Sequence, residues 1–265
     1  MVDLDLPLPH GALCNAEAAC TADLVRTGVI TWAGQALATD ARGSVTGWPA
    51  SGNGPTAIPT DPNTGHGQIG AAGDLGGLQC RDGVHCGLVA MDAVNDAGHL
   101  SLALRYLPPW LGEAKTLITL NTGGGAKKSA GQNYLYLAEA EGILTLKDDL
   151  GLIALDLAAP AMDGPRLVIF SVTGPALSLA LLGPGGKLTC TRGMAASPIL
   201  TGTGHLFIGC RNQRPGLTKT LGAALIADIW LWPGASLLGG NTSRDHAALL
   251  AMRRFWLWSE ASDGL

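Results

Sequence analysis

Among the side chains whose types could do chemistry, one set could hold a saccharide. A saccharide offers an apolar ring face that stacks on an aromatic side chain, and hydroxyls that need paired donors and acceptors from amides, carboxylates and guanidinium groups. Trp110 after Pro108-Pro109, together with Asn121, Asn133, Asp61, Asn63, His66, Arg211, Asn212 and Arg214, supplies these types in segments that read as loops. These nine are the candidate ligand-binding residues. For each of them the competing role is a loop cap or a plain surface position.

Bond-breaking chemistry has less behind it. Glycoside hydrolysis needs two carboxylates flanking the scissile bond, and on a sheet these are commonly set out as E-x-D-x-E. Glu139 and Glu141 share a strand face but have no Asp between them and precede a Gly turn, so they read as a solvated strand end. A lyase set of Arg, Gln, His and Tyr is incomplete, because Gln68-Ile69-Gly70 lacks the His. There is no G-x-S-x-G, and Gly123-Gly124-Gly125-Ala126-Lys127-Lys128-Ser129 lacks the glycine that a phosphate loop places before Lys-Ser. The expectation is therefore no catalytic residue, no enzyme and no cofactor.

Metal binding is assigned nowhere. Asp92, Asp96, Asp148, Asp149 and Asp163 stand near predicted turns, but calcium needs several converging oxygens and one sequence does not show convergence. Cys80, His85 and Cys86 give three ligands at an unusual spacing, short of the four of structural zinc. The six cysteines fall in pairs, Cys14/Cys20, Cys80/Cys86 and Cys190/Cys210. Free thiols are expected, with Cys190 to Cys210 the first choice for a bridge.

The elements that position these residues are strands. Leu100, Leu102, Leu104 and Tyr106 alternate with Ser101, Ala103 and Arg105, the period of a half-buried strand. Arg166 to Val172, Pro175 to Leu182, His205 to Cys210 and Leu225 to Trp232 repeat the pattern between Gly or Pro punctuation. Asp82-Gly83, Gly174-Pro175 and the glycine-rich stretch from Asn121 to Asn133 mark hairpin turns. Helices are predicted only from Asn15 to Arg26 and from Ser243 to Phe255, the second capped by Asn241-Thr242-Ser243. Trp32, Trp48, Trp230, Trp232, Trp256 and Trp258 lie in or beside these elements and are assigned to packing or an interface.

With 265 residues the chain can bury one large core. Charged residues make up 14%, hydrophobic ones 47%, and 38 Gly with 15 Pro suit many turns. A net charge of −4 without a Lys/Arg block argues against a nucleic-acid partner. The uncharged run from Leu167 to Gly186 is broken by Gly174-Pro175 and reads as a hairpin, not as membrane insertion. Met1 to His10 carries acids where a signal peptide has bases, which leads us to expect cytoplasmic synthesis without an export signal.

Ile30-Thr31-Trp32, Val45-Thr46-Gly47-Trp48-Pro49-Ala50-Ser51-Gly52-Asn53-Gly54 and Leu78-Gln79-Cys80-Arg81-Asp82-Gly83 stand in the order of an opening strand, a V-x-x-W-x-D-x-S-G-N-G segment and an F-D-G hairpin. Leu206-Phe207-Ile208-Gly209 and Gly222 to Leu237 resemble later L-x-I-G and G-x-I-x-D-I-x-I-x-x-x-A-L strands. In these five pieces the chain resembles the concanavalin A-like lectin/glucanase jelly roll, in the laminin-G-like form of bacterial surface and phage virion proteins. Pro49, Ala50 and Arg81 depart from the family pattern. The resemblance implies an all-β, antiparallel two-sheet sandwich over residues 26–265, with residues 1–25 as an anchoring or oligomerisation arm. It also implies glycan binding at rim loops.

Joined to the missing export signal, the resemblance leads to the expectation of a non-catalytic carbohydrate-binding and adhesion module. The setting expected is a phage spike, fibre or tail-associated protein on the virion surface. The partners expected are a polysaccharide or cell-surface glycan, and other virion proteins through residues 1–25 and the aromatic run Phe255-Trp256-Leu257-Trp258, in a homo-oligomer. A purely structural virion protein is the first alternative. A divergent polysaccharide hydrolase or lyase is the second.

Overall fold

In the computed structural model the described residues are 16–60, 67–72, 75–79, 86–108, 115–123, 132–159, 164–211 and 224–263. The strands are β1 (Ile30–Ala33), β2 (Ala38–Thr39), β3 (Val45–Gly47), β4 (Ile58–Pro59), β5 (Gln68–Ala72), β6 (Leu75–Gln79), β7 (Leu88–Val94), β8 (His99–Leu107) and β9 (Lys115–Asn121). They continue as β10 (Tyr134–Ala140), β11 (Ile143–Asp148), β12 (Ala154–Ala158), β13 (Arg166–Thr173), β14 (Ala176–Leu182), β15 (Leu188–Met194), β16 (Gly204–Ile208) and β17 (Leu225–Pro233). Helix α1 (Ala16–Val25) precedes them and helix α2 (Ser243–Asp263) follows.

An eight-stranded sheet runs β15-β14-β13-β8-β17-β6-β5, with β1 also paired to β17, and a seven-stranded sheet runs β12-β11-β10-β9-β16-β7-β4. All their pairings are antiparallel. The fold is the all-β two-sheet sandwich expected. The hairpin at Gly174-Pro175 joins β13 to β14 in register from Thr173↔Ala176 to Leu167↔Leu182.

Strand alternation decides what each layer buries. Leu100, Leu102, Leu104, Val168, Phe170 and Val172 point inward from one sheet, Ile118, Leu120, Leu135, Leu137, Leu206 and Ile208 from the other, and together they form the main core. Trp32 and Trp48 are fully buried in it, and their indole N–H groups donate to the carbonyls of Pro55 and Ala33. The segment around Trp48 is thus tied to the opening strand by one buried indole.

The outward residues of the eight-stranded sheet form a second apolar layer. Ala103, Leu167, Ile169, Ala180, Leu182, Trp230 and Trp232 meet α2 through Ala248, Ala251, Met252, Phe255 and Trp256, a stripe at i, i+3, i+4, i+7 and i+8. Thr242 and Asp245 cap this helix reciprocally: the Asp245 N–H donates to Thr242 Oγ1 at 3.1 Å, and Asp245 Oδ2 accepts from the Thr242 N–H at 3.3 Å. The helix runs eight residues past the predicted end at Phe255, because Ser259 is buried and its hydroxyl donates to the Trp256 carbonyl. The aromatic run expected at another subunit is turned onto this chain's own sheet, with Phe255 and Trp256 buried. In the N-terminal arm only α1 is described, and Leu24 joins the same apolar layer.

Two sequence readings fail here for reasons of layer. Cys190 is exposed on β15 of the eight-stranded sheet, whereas Cys210 is buried just past β16 of the seven-stranded sheet, so they are free thiols in different layers and not a bridge. Burial pushes the Cys210 thiol up to about 12. Cys86 is disulfide-bonded, contrary to the expectation of free thiols, and its partner lies outside the described residues.

Glu139 is the second failure. It points between the sheets, 3% exposed, where it forms an ion pair with Arg166 and accepts a hydrogen bond from the Tyr106 hydroxyl. Burial and the nearby Glu139 charge hold the Tyr106 hydroxyl well above the ordinary tyrosine value. Leu135, Leu137 and Glu139 alternate on one face of β10, so Glu139 follows the two leucines inward, while the register shift after Leu137 is taken up by Leu117 of β9. Glu141 sits in the following turn at φ +50° and is exposed.

Candidate functional site

The outer face of the seven-stranded sheet mixes aromatic and polar side chains. Cross-strand register sets its side chains in three rows. Asp156, Thr145, Ala138 and Thr116 form the first, and Lys147, Tyr136, Thr119, Phe207 and Val89 the second. The third is Tyr134, Asn121 and His205, closing on Asp92. In and beside these rows Thr116, Thr119, Asn121, His205, Phe207 and Val89 are buried, Tyr134, Tyr136 and Arg211 are half-buried, and Asp92 is exposed.

Tyr134 and Tyr136 are half-buried, with ring centroids 6.2 Å apart. The Arg211 guanidinium lies 3.8 Å over the Tyr136 ring and its Nε donates to Thr116 Oγ1 at 3.0 Å, so cation–π contact and one hydrogen bond fix its orientation. Thr119 Oγ1 donates to the Cys210 carbonyl at 3.1 Å. The face is tied into the backbone at the strand ends.

At the other end β7 bulges opposite His205, the register skipping between Gly204 and Leu206. Asp92 occupies the bulge at φ +52° with its side chain 73% exposed. A left-handed backbone costs a non-glycine residue roughly 1–2 kcal/mol, and such residues concentrate at functional positions. The Asp92 N–H donates to His205 Nδ1 at 3.0 Å, which assigns the proton of the neutral imidazole to Nε2. Asp92 Oδ1 stands 3.6 Å from the same Nδ1, beyond hydrogen-bond length. Its carboxylate is therefore directed by the bulge and not by the ring.

Of the residues singled out from the sequence, Asn121 and Arg211 lie on this face. Asn121 Oδ1 accepts the Gly123 N–H at 2.7 Å. Asn133 faces the hairpin base: its amide donates to the Ile199 carbonyl at 2.9 Å and to Asp148, and its Oδ1 accepts the Tyr134 N–H. Those bonds occupy both ends of the Asn133 amide, which makes it a structural residue. Trp110, Asp61, Asn63, His66, Asn212 and Arg214 lie outside the described residues. Sequence reasoning missed Tyr134, Tyr136, His205 and Asp92. The Tyr-x-Tyr alternation could have shown the tyrosines, but a bulge leaves no such signature.

Two other acidic groups are not available to a saccharide here. Asp148 accepts the Ile153 and Leu150 N–H groups at 2.8 and 2.9 Å and closes a turn. Asp96 does the same for Gly98 at 2.9 Å. Asp156 shares the face with Asp92 but lies five strand spacings away, about 24 Å at the usual strand separation. Paired glycosidase carboxylates stand about 5–9.5 Å apart, so Asp92 and Asp156 are not such a pair. Among the described residues no group of three or more His, Cys, Asp or Glu side chains could hold a metal ion.

No protein-family model matches this chain, and no curated protein sequence matches it. Solved structures do share its fold. Domain 4 of the GH43 extracellular arabinanase of Geobacillus stearothermophilus, in complex with arabinotriose, is similar over 83% of this chain and 96% of that one, with TM-score 0.53 and 13% identity. Trypanosoma rangeli sialidase in complex with sialic acid is similar over 85% of this chain and 33% of that one, with TM-score 0.52 and 13% identity. A GH54 α-L-arabinofuranosidase gives 80% and 50%, with TM-score 0.52 and 10% identity. This chain thus spans a third to a half of the sialidase and arabinofuranosidase chains.

These likenesses correct the functional expectation. All three similar structures come from glycoside hydrolases, and none is described as a laminin-G, concanavalin A-like or virion protein. The reading of a non-catalytic virion attachment module, and with it the reading of no enzyme, is overturned by these likenesses. Fold class is what the likeness carries; chemistry has to come from the face itself.

Proposed function

We propose that this chain is a carbohydrate-active protein of the glycoside-hydrolase kind, with its glycan laid along the outer face of the seven-stranded sheet. The observation that carries the reading is the third row, in which the strained and exposed Asp92 stands beside His205 and in line with Asn121 and Tyr134. Tyr134 offers a ring to a sugar, and Arg211, held over the Tyr136 ring, offers donors to hydroxyls. Asp92 supplies one carboxylate of the pair that hydrolysis uses. Its partner must lie within about 5–9.5 Å of it. His205 accepts the Asp92 N–H through Nδ1 and positions the bulge.

The similar structures support the substrate class, since their complexes hold arabinotriose and sialic acid. The test is release of reducing ends from arabinan, a sialylated glycan and a panel of neutral polysaccharides. We expect release from at least one of them. Asp92→Asn should lower kcat by about 10²–10⁴-fold with little change in KM, while Tyr136→Ala should act mainly on KM. Release that neither substitution alters, or no release from any substrate, overturns the reading.

A further inference from the structure

On the opposite side of the sandwich a cleft of about 680 Å³ opens between α1, the C-terminal half of α2 and the outer face of the eight-stranded sheet. We propose that it is a second saccharide site, which takes a neutral sugar residue. The proposal rests on the carbohydrate-active reading but on none of the residues that carry it.

The floor is an ion pair. Arg105 donates through Nε at 2.8 Å and through its terminal nitrogen at 2.7 Å to Asp228 Oδ2, and the Gly34 N–H donates to Oδ1 at 3.1 Å. The two side chains are 16% and 11% exposed. Their charges cancel, so the floor has no net charge to attract an anion or a cation. Yet it keeps guanidinium N–H donors and carboxylate lone pairs side by side. A hydroxyl donates and accepts at a single atom, and vicinal hydroxyls match such a pair.

The wall is aromatic. Trp230 meets Phe255 edge-on with centroids 5.0 Å apart, Phe255 meets Trp258 at 5.7 Å, and the Arg105 guanidinium sits 5.3 Å from the Phe255 centroid. Trp258 is half-buried and lines the cleft. Gln35, Thr31 and Ser51 add polar groups to the lining. An apolar wall with a few convergent polar groups, in a volume inside the roughly 300–1,000 Å³ range of small-molecule sites, suits a short saccharide.

Two glycines shape the space. A Cβ on Gly34 would meet the Gly76 carbonyl oxygen at 2.2 Å and that of Ala227 at 2.5 Å, so only glycine lets this segment press onto the sheet and reach Asp228. A Cβ on Gly76 would meet nothing within 4 Å. The cleft is open above Gly76, and a large side chain introduced there has room to occupy it.

The experiment titrates the full chain with arabinotriose, xylotriose and cellotriose, followed by calorimetry and by tryptophan fluorescence, for the unmodified protein, Gly76→Phe, Gln35→Ala and Tyr136→Ala. Thermal unfolding confirms that each variant is folded, and Gln35→Ala, at an exposed position, serves if Gly76→Phe does not fold. We expect at least one trisaccharide to bind with a fluorescence change that Gly76→Phe weakens tenfold or more, Gln35→Ala weakens measurably and Tyr136→Ala leaves in place. Sialic acid should not compete at that site. Binding abolished by Tyr136→Ala and unaffected by the cleft variants overturns the second site and leaves the proposed function standing. Binding of none of the three sugars overturns the cleft proposal, whatever the polysaccharide assays show.

Discussion

The outer face of the eight-stranded sheet and the outer face of the seven-stranded sheet are made by the same strand alternation and differ only in what the outward positions carry. On the first, Ala103, Leu167, Ile169, Trp230 and Trp232 are covered by the apolar stripe of α2. On the second, Thr116, Thr119, Asn121, Tyr134, Tyr136 and His205 make hydrogen bonds, ring contacts and register pairs with one another and with Arg211. Inward residues fix the sandwich, and outward residues decide whether a face is sealed by apolar contact, as under α2, or held by polar contacts, with Thr116, Thr119, Asn121 and His205 buried and Tyr134 and Tyr136 half-buried. The Arg105–Asp228 cleft lies where the seal of α2 ends, so even the sealed face keeps one polar corner.

The largest test of this contrast is a pair of aromatic truncations. Trp256 is 1% exposed and its indole N–H donates to the Gly183 carbonyl at 3.0 Å. Trp256→Ala should cost about 3–5 kcal/mol in urea unfolding, with an unchanged slope. Tyr136→Ala, on the half-buried ligand face, should cost about 1 kcal/mol, most of it the lost stacking with Arg211. Equal costs on the two faces would dissolve the distinction between a sealed layer and a binding layer.

The helix seal has its own pH signature through the Asp245 cap. Burial alone would raise the Asp245 carboxyl. Hydrogen bonds from the Thr242 hydroxyl and from the Ser236 and Thr242 N–H groups, with the charge of His99, outweigh it and hold the carboxyl below its ordinary value. A folded value below the unfolded one means that the stabilisation is complete above the unfolded pKa of about 3.9 and is lost as pH falls through the folded value. Asp245→Asn should be less stable than the unmodified protein by about 1 kcal/mol at neutral pH, and the gap should narrow as pH falls below about 4. A gap that does not narrow there would place the cap energy elsewhere than in the carboxylate.

Strand positions were readable because alternation and Gly/Pro punctuation are local: His99 to Tyr106, Arg166 to Val172 and Leu225 to Trp232 are β8, β13 and β17 to within a residue or two. Layer assignment was not readable. Whether Cys190 and Cys210 are neighbours depends on which sheet each strand joins, and nothing near either cysteine encodes that. The environment of Asp92 depends on irregular register at the β7 bulge, where β7 advances four residues against two of β16, whereas Glu139 follows the alternation of Leu135 and Leu137 and only its partners Arg166 and Tyr106, from other strands, were not readable. Of the proposed face, Asn121 and Arg211 were singled out from their residue types, whereas the tyrosines and the bulge beside them were not.

The smallest effect expected is also the most diagnostic for the ligand face. Asp92→Gly removes the left-handed strain at φ +52° while keeping the N–H that donates to His205 Nδ1. Relief of strain is partly offset by the greater freedom of glycine in the unfolded chain, so the variant should gain about 0.5 kcal/mol in stability. It should at the same time lose hydrolysis as completely as Asp92→Asn. A position held by natural sequence in a conformation that glycine tolerates better is one where the side chain matters more than the backbone. If Asp92→Gly instead destabilises the protein, the carboxylate supports the bulge itself, and the ligand face loses its catalytic candidate.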